Sequence, residues 1–130
     1  MTTMTAPTAA EAAVIAKIVA PAIVKEIATA NIGLHKIVLA DIVAIVDATW
    51  AIDGREYDET VVILADRIVV RTFDAIKGRN VWNIAVRRYA TRREMIDGTW
   101  QTVRRECANT AAHFESRVAE YLTAGVKIYG

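Results

Sequence analysis

The residues that could carry catalytic chemistry are few and widely spaced in this chain. His35 and His113 are the two histidines, and neither has a second His or Cys at the spacing of metal ligands. Cys107 is the single cysteine, and a nucleophile would need a base and an oxyanion donor that the sequence alone cannot place. The six glycines are scattered and form no phosphate-binding loop. We therefore expect no catalytic residue, no metal and no cofactor, and the sequence argues against an enzyme without deciding the question.

Carboxylates are numerous enough in the first half of the chain for a catalytic pair. Most of them, however, stand at predicted turns, where aspartate is ordinary local chemistry. The acidic residues concerned are Asp41, Asp47, Asp53, Asp58, Glu59 and Asp66.

Arginines are crowded into one short part of the chain. Three adjacent pairs occur in "VRRY" (86–89), "TRRE" (91–94) and "VRRE" (103–106), and aromatic residues are interleaved with them. Residues 1–66 hold four basic and nine acidic side chains, whereas residues 77–106 hold eight basic and three acidic ones. The residues of this candidate binding surface for a partner or nucleic acid are Arg87, Arg88, Arg92, Arg93, Arg104, Arg105, Trp82, Tyr89 and Trp100.

Three interpretations of these arginines remain open from the sequence. They can pair internally with Asp58, Glu59 and Asp66 across strands and with Glu94 and Glu106 locally. They can also contact acidic surface on another subunit, since the two halves of the chain carry opposite charge. Arginines between aromatic side chains would alternatively suit the phosphates and bases of nucleic acid.

The totals describe one globular domain. The 130 residues are 54% hydrophobic, and the formal net charge is +1, so charge alone points to no class of partner. No apolar stretch is long enough for a membrane span, and "MTTMTAPTAAEAA" lacks the features of a signal peptide. The lone cysteine fits a reducing compartment. We expect a protein that is not secreted, in the cytoplasm or in a virion-like assembly.

Helices are predicted at both ends of the chain. "TAAE" at 8–11 has the form of a capping box, and a helix should run from Thr8 to about Ala20, with Pro21 kinking it or starting a second segment. "ANIG" at 30–33 should end it. Its apolar residues surround most of the circumference, which indicates burial on several sides. They are Val14, Ile15, Ile18, Val19, Ile23, Val24 and Ile27.

The second helix should begin at an Asn109 cap and end at Gly125. Four apolar side chains share one face of it, and three charged ones point outward. The apolar face consists of Phe114, Val118, Tyr121 and Leu122, and the outward residues are Glu115, Arg117 and Glu120.

Repeated turns predict an antiparallel meander between the helices, and we expect the helices to cover one face of it. "AIDG" (51–54), "AIKG" (75–78) and Asp97-Gly98 each place a glycine where a hairpin needs positive φ. Strands should cover about 60–73, 80–95 and 99–107, with an earlier one ending near Trp50, while 34–46 can be helix or strand. Asp66 should mark a bulge or an extra tight turn. Pairing across Asp97-Gly98 would set Arg93 opposite Thr102, Arg92 opposite Val103 and Thr91 opposite Arg104.

Two segments resemble parts of one known family. "DGTWQTVRRE" (97–106) is similar to the last hairpin of NTF2-like proteins, and "VVILADRIVV" (61–70) is similar to an earlier hairpin of that fold. The resemblance implies a curved sheet with a pocket that binds a small molecule or holds an active site. In this chain such a pocket would be lined by Trp82 and Tyr89 and would contain a buried carboxylate.

The sequence thus predicts an α+β fold: an N-terminal apolar helix, a four- to five-stranded antiparallel meander and a C-terminal amphipathic helix. Within the single domain 1–130, residues 1–7 form an arm, 8–30 are helical, 37–107 are mainly sheet and 109–124 are helical. We expect a self-associating structural or assembly protein of coat- or scaffold-like type, a homo-oligomer whose arginine-rich hairpin contacts partner subunits or nucleic acid. An NTF2-like ligand-binding protein or enzyme is the alternative.

Overall fold

The computed structural model describes residues 9–30 and 37–130, and in the first helix it describes side chains from Ala20 onward. These residues form two helices and seven strands, so the α+β class and the antiparallel meander are confirmed. The elements are α1 (Ala9–Ala30), a short 3₁₀ turn (Leu39–Asp41), β1 (Ile42–Ile52), β2 (Arg55–Leu64), β3 (Arg67–Asp74), β4 (Arg79–Arg87), β5 (Tyr89–Ile96), β6 (Thr99–Glu106), α2 (Ala108–Ala124) and β7 (Val126–Tyr129).

Five strands form one antiparallel sheet in the order β4-β3-β2-β1-β7, and β5 with β6 forms a separate two-stranded sheet. The three predicted glycine turns are confirmed, because Gly54, Gly78 and Gly98 all have positive φ between 67° and 80°. At the β3–β4 turn, the Asp74 carboxylate also accepts hydrogen bonds from the backbone N–H groups of Ile76 and Lys77. A single short side chain therefore organises this turn.

The core lies on both faces of the large sheet. Along β2, Val62 and Leu64 pack with α1 through Ile23 and Ile27, whereas Val61 and Ile63 belong to a cluster with Phe114 and Tyr121 of α2. Because neighbouring strand residues point to opposite faces, the two helices cover opposite sides of the sheet. The expectation that the helices cover one face is therefore wrong. A run of consecutive apolar residues in β2 is the sequence pattern of a strand buried on both sides.

Two predicted strands are interrupted. The segment 60–73 is divided into β2 and β3 by a turn at Ala65-Asp66. This is the extra tight turn that was one of the two predictions for Asp66. The segment 80–95 breaks at Arg88, whose backbone N–H donates to the Asp66 carbonyl at 2.9 Å. That bond and the salt bridges of the Arg88 side chain turn the chain out of the large sheet at this point. β1 also runs on past Trp50 to Ile52, and β7 was not predicted.

The helix boundaries differ from the prediction in detail. α1 is one continuous helix with Pro21 inside it, and α2 begins at Ala108, with Cys107 rather than Asn109 at its N-cap. Leu122 is exposed rather than packed, so the buried face of α2 consists of Phe114 and Tyr121 with Val118 beside them. From Ala20 onward α1 buries Ala20, Ile23 and Ile27 only, and its other side is exposed.

Some predictions lie outside the described residues. These are the arm 1–7, the capping box at Thr8, the stop signal at Asn31 and Gly33, His35, and the apolar side chains of α1 before Ala20. Of the ambiguous segment, residues 39–41 form the 3₁₀ turn and residues 42–46 belong to β1.

Candidate interaction surface on the β5–β6 hairpin

The hairpin of β5 and β6 is built around the Asp97-Gly98 turn. Asp97 and Gly98 both have positive φ, at 49° and 80°, which is the conformation of a two-residue type I′ turn. Its predicted register is confirmed at all three positions, with Arg93 opposite Thr102, Arg92 opposite Val103 and Thr91 opposite Arg104.

This register divides the hairpin into two faces. Side chains alternate along each strand, so directly opposed residues share a face. We call one the Glu94 face, and it carries Ala90, Arg92, Glu94, Ile96, Thr99, Gln101, Val103 and Arg105. We call the other the Trp100 face, and it carries Tyr89, Thr91, Arg93, Met95, Trp100, Thr102, Arg104 and Glu106.

On the Glu94 face, one carboxylate binds two arginines. Arg92 Nε donates to Glu94 at 2.6 Å, and Arg105 donates from Nε and Nη2 to both carboxylate oxygens at 3.1 Å. The bidentate bond from Arg105 and then the bond from Arg92 lower the pKa of Glu94 to about 2. Two of the six candidate arginines are therefore bound to Glu94, Arg105 from the opposite strand and Arg92 from the same strand.

On the Trp100 face, Tyr89 lies between two guanidinium groups. The Arg104 guanidinium carbon is 4.5 Å from the Tyr89 ring centroid, and that of Arg87 is 5.7 Å away. Arg104 also reaches Asp66 in the β2–β3 turn at 3.5 Å, and its pKa is raised, mainly by its hydrogen bond with Tyr89. Tyr89 is thus packed at the base of the hairpin.

The tip of the Trp100 face is apolar and exposed. Met95 and Trp100 are directly opposed across the strands, and they are 54% and 58% exposed. Arg93 follows on the same face, is exposed, and has no carboxylate within 4.0 Å among the described side chains of residues 20–30 and 37–130. The tip therefore offers two large apolar side chains and a cation that no described carboxylate neutralises.

Arg88 joins the hairpin to α2. It binds Glu106 at 2.9 Å and Glu115 at 2.6 Å, and its guanidinium lies 5.8 Å from the Phe114 ring centroid. Both carboxylates raise the pKa of Arg88, with the Glu106 hydrogen bond the larger cause. Arg88 therefore has a structural role at the base of the hairpin.

Trp82 is not part of the hairpin surface. It is buried in the core between α1 and the sheet, and its indole N–H donates to Glu26 at 3.0 Å. Arg71 donates to the same carboxylate at 2.9 and 3.1 Å and lies 5.5 Å from the indole centroid. This Glu26–Arg71–Trp82 cluster connects α1 to β3 and β4. This cluster was not predicted, because Glu26 follows Lys25 and the two together have the appearance of an ordinary charged position on a helix.

The internal pairing of the arginines is partly as predicted. Glu94, Glu106 and Asp66 take arginine partners, but Asp58 and Glu59 take none from the hairpin. Asp58 instead accepts a hydrogen bond from the Thr49 hydroxyl at 2.9 Å. Glu59 lies on the α2 side of the sheet, where burial raises its pKa and the nearby Arg117 charge opposes that rise. These two carboxylates lie in the middle of the large sheet, away from the hairpin.

The remaining titratable groups do not converge on a catalytic arrangement within the described residues. His113 and Cys107 are exposed, and a hydrogen bond with Thr110 lowers the pKa of the Cys107 thiol. No group of three potential metal ligands occurs among the side chains that the structure describes, those of residues 20–30 and 37–130.

Two cavities can be compared with the pocket that the NTF2-like resemblance implies. One of about 600 Å³ lies at the base of the hairpin between the 3₁₀ turn, the β2–β3 turn and Arg104. Another of about 410 Å³ lies on the middle of the large sheet around Asp47, Thr60 and Arg71. Neither is lined by Trp82 or Tyr89, so the two aromatic residues do not share either cavity.

Comparison of the chain with models of known protein families, with curated proteins and with solved structures finds no match. In the described part of the chain, no helix is both long and apolar enough to cross a membrane.

Proposed function

We propose that this protein is a self-associating structural or assembly protein, of coat- or scaffold-like type, in which the β5–β6 hairpin contacts another subunit. The observation that carries the proposal is the exposed Met95–Trp100 pair at the tip of a hairpin that forms its own two-stranded sheet. Two-stranded sheets are marginally stable alone in water, so a hairpin of this kind gains stability from a surface that covers it.

The composition of the tip supports a protein partner. Trp, Tyr, Met and Arg are the residue types enriched at the centres of protein interfaces, and Trp100, Met95 and Arg93 supply three of them on one face. Burial of Trp100 and Met95 would remove from water the largest apolar groups of the hairpin. The first half of the chain, which holds nine acidic side chains and four basic ones, offers carboxylates that Arg93 of a neighbouring subunit could meet.

The experiment compares the wild type with the double variant Met95→Ser, Trp100→Ser by size-exclusion chromatography with light scattering. We expect the wild type to elute as an oligomer and the variant to have at least a tenfold weaker self-association constant. The matched control is Ile76→Ser in the β3–β4 turn, because Ile76 is 99% exposed and lies on another hairpin of the same molecule. If the double variant associates as strongly as the wild type and the control, the hairpin does not mediate association.

Nucleic acid is the second candidate partner, favoured by the exposed cation Arg93 beside the exposed ring of Trp100. Against it stands the local pairing of Arg88, Arg92 and Arg105 with carboxylates. Absorbance at 260 and 280 nm across the eluted peak, at low and high salt, separates the two candidates. Excess absorbance at 260 nm that salt removes would favour nucleic acid, because counterion release makes phosphate binding salt-dependent. An Arg93→Glu variant should then lose that absorbance.

A further inference from the structure

The cavity at the base of the hairpin contains a buried arginine. Arg67 begins β3, is 4% exposed, and forms part of the wall of the cavity of about 600 Å³. Its Nε–H has no hydrogen-bond acceptor. In the part of the chain that the structure describes, no carboxylate lies within 4.0 Å of the Arg67 guanidinium. A buried guanidinium without a carboxylate is costly, so Arg67 calls for an acceptor from outside the described chain.

The other charged groups of the cavity limit what that acceptor can be. Arg104 enters from β6, and Asp41 and Asp66 enter from the 3₁₀ turn and the β2–β3 turn. With Arg67, these four side chains carry two positive and two negative charges, so a ligand of high negative charge would meet repulsion from the two aspartates. Asp66 is already bound to Arg104 at 3.5 Å, and Asp41 accepts the Val38 backbone N–H at 3.3 Å. The unsatisfied donor is therefore on Arg67, and a single negative charge is enough to neutralise it.

The rest of the cavity wall is apolar. Ile37, Ile42 and Leu64 line it beside the charged residues. Cavities that bind small molecules have volumes of about 300–1,000 Å³ and combine apolar walls with a few polar groups that orient the ligand. An aliphatic chain would contact these side chains while its charged end reached Arg67, and planar carboxylates match the fork of a guanidinium.

We infer that this cavity binds an aliphatic monocarboxylate, with Arg67 as its principal ligand and the Ile37–Leu64 wall against its hydrocarbon. This site is separate from the proposed contact at the hairpin tip and does not depend on self-association. The carboxylate can belong to a free small molecule or to an acidic side chain of another copy of the protein, and the experiment separates these sources.

The probe is sodium butyrate, with sodium chloride and sodium phosphate at matched ionic strength as comparators. Thermal unfolding is followed for the wild type, for Arg67→Met and for Arg79→Met, the latter being the same change at an exposed arginine outside the cavity and outside the hairpin tip. Arg67→Met keeps an unbranched side chain and removes the buried charge, so it should fold at least as stably as the wild type without ligand. If Arg67→Met fails to fold, the other arginine of the cavity is changed instead. Protection by saturating butyrate is then compared between the wild type and Arg104→Gln.

We expect butyrate, at about tenfold above its Kd, to raise the thermal unfolding midpoint of the wild type and of Arg79→Met by about 3–6 °C relative to chloride. Arg67→Met should show less than a third of this shift, and Arg104→Gln should bind butyrate at least threefold more weakly. Light scattering in the same solutions identifies the source. An unchanged mass indicates a free ligand, and a mass that butyrate lowers indicates a carboxylate of another copy.

Three results would overturn the inference. One is that butyrate and chloride give the wild type the same midpoint at every concentration. Another is that phosphate protects at tenfold lower concentration than butyrate, which would remove the carboxylate class. The third is that butyrate protects Arg67→Met as strongly as it protects the wild type. If Arg67→Met does not fold, equal protection of Arg104→Gln and the wild type has the same meaning.

Discussion

At the scale of single residues, the charged side chains of this protein mainly hold elements together. Glu26 receives both Arg71 and the Trp82 indole, Glu94 receives two arginines, and Arg88 joins β6 to α2. Each carboxylate or guanidinium is shared by at least two partners, which distributes the loss of side-chain entropy over several bonds. Arg93 and Arg67 differ, since neither has a carboxylate within 4.0 Å among the described side chains. The cavity inference depends on Arg67, and Arg93 adds a cation to the Met95–Trp100 pair that carries the proposed function.

Glu94 provides a pH-dependent prediction at this scale. Because its pKa is about 2 in the folded hairpin and about 4.5 as an ordinary glutamate, its bonds stabilise the fold above about pH 4.5. That contribution is lost as pH falls toward 2, since the unfolded chain takes up the proton first. Nuclear magnetic resonance of the Glu94 carboxyl should give a titration midpoint near 2, and the Arg105→Gln variant should move it upward. A wild-type midpoint at or above 4 would show that the two arginines do not hold the carboxylate in solution.

At the scale of elements, the turns were predictable because their chemistry is local. Gly54, Gly78 and the Asp97-Gly98 pair need positive φ, and aspartate and glycine are the residue types that adopt it at low cost. The register of β5 with β6 followed directly from a two-residue turn. The run of consecutive apolar residues in β2 was equally visible in the sequence, although its consequence, a sheet covered by α1 on one side and α2 on the other, was missed.

Other elements depend on contacts between distant parts of the chain. β7 is only four residues long, and it forms because the end of α2 lies beside β1, with which β7 pairs. No local sequence pattern near Val126 indicates this strand. Likewise, the break at Arg88 depends on the Asp66 carbonyl, 22 positions away. Pairing of this kind depends on tertiary contacts, so it cannot be predicted from the periodicity of the sequence. The same reason explains why Trp82 could not be distinguished from Tyr89 and Trp100 before its contact with Glu26 was known.

Gly125 gives a prediction at the scale of elements, because it sets the distance between α2 and β1. A Cβ at this position would collide with the Val46 side chain and would lie 2.9 Å from the Asp47 carbonyl oxygen. We expect Gly125→Ala to lower the free energy of unfolding by about 1–3 kcal/mol through overpacking. Chemical denaturation measures the change.

The matched control for Gly125 is Gly98→Ala in the hairpin turn. A Cβ there meets open space, but φ is +80°, so the cost should come from the backbone alone and be about 1 kcal/mol. Equal stability of Gly125→Ala and the wild type would mean that the end of α2 and the start of β7 do not pack tightly against β1.

At the scale of the whole molecule, the described chain has a well-covered body and an exposed hairpin. The large sheet is packed between two helices, whereas β5 and β6 keep Met95 and Trp100 in water. Opposite charge on the two halves of the sequence adds complementarity for contact between copies. Neither of the two cavities joins Trp82 with Tyr89, so they lend no support to the NTF2-like alternative, whereas the hairpin tip supports an interaction role.

The most direct test of the central claim is the absolute mass of the wild-type protein, measured by size-exclusion chromatography with light scattering over a hundredfold range of concentration. A chain of 14.3 kDa that self-associates through its hairpin should give a mass above this value. The mass should either rise with concentration or stay constant at a multiple of 14.3 kDa, as for a closed oligomer. A constant mass of 14.3 kDa at every concentration would contradict the proposal that this protein assembles with copies of itself.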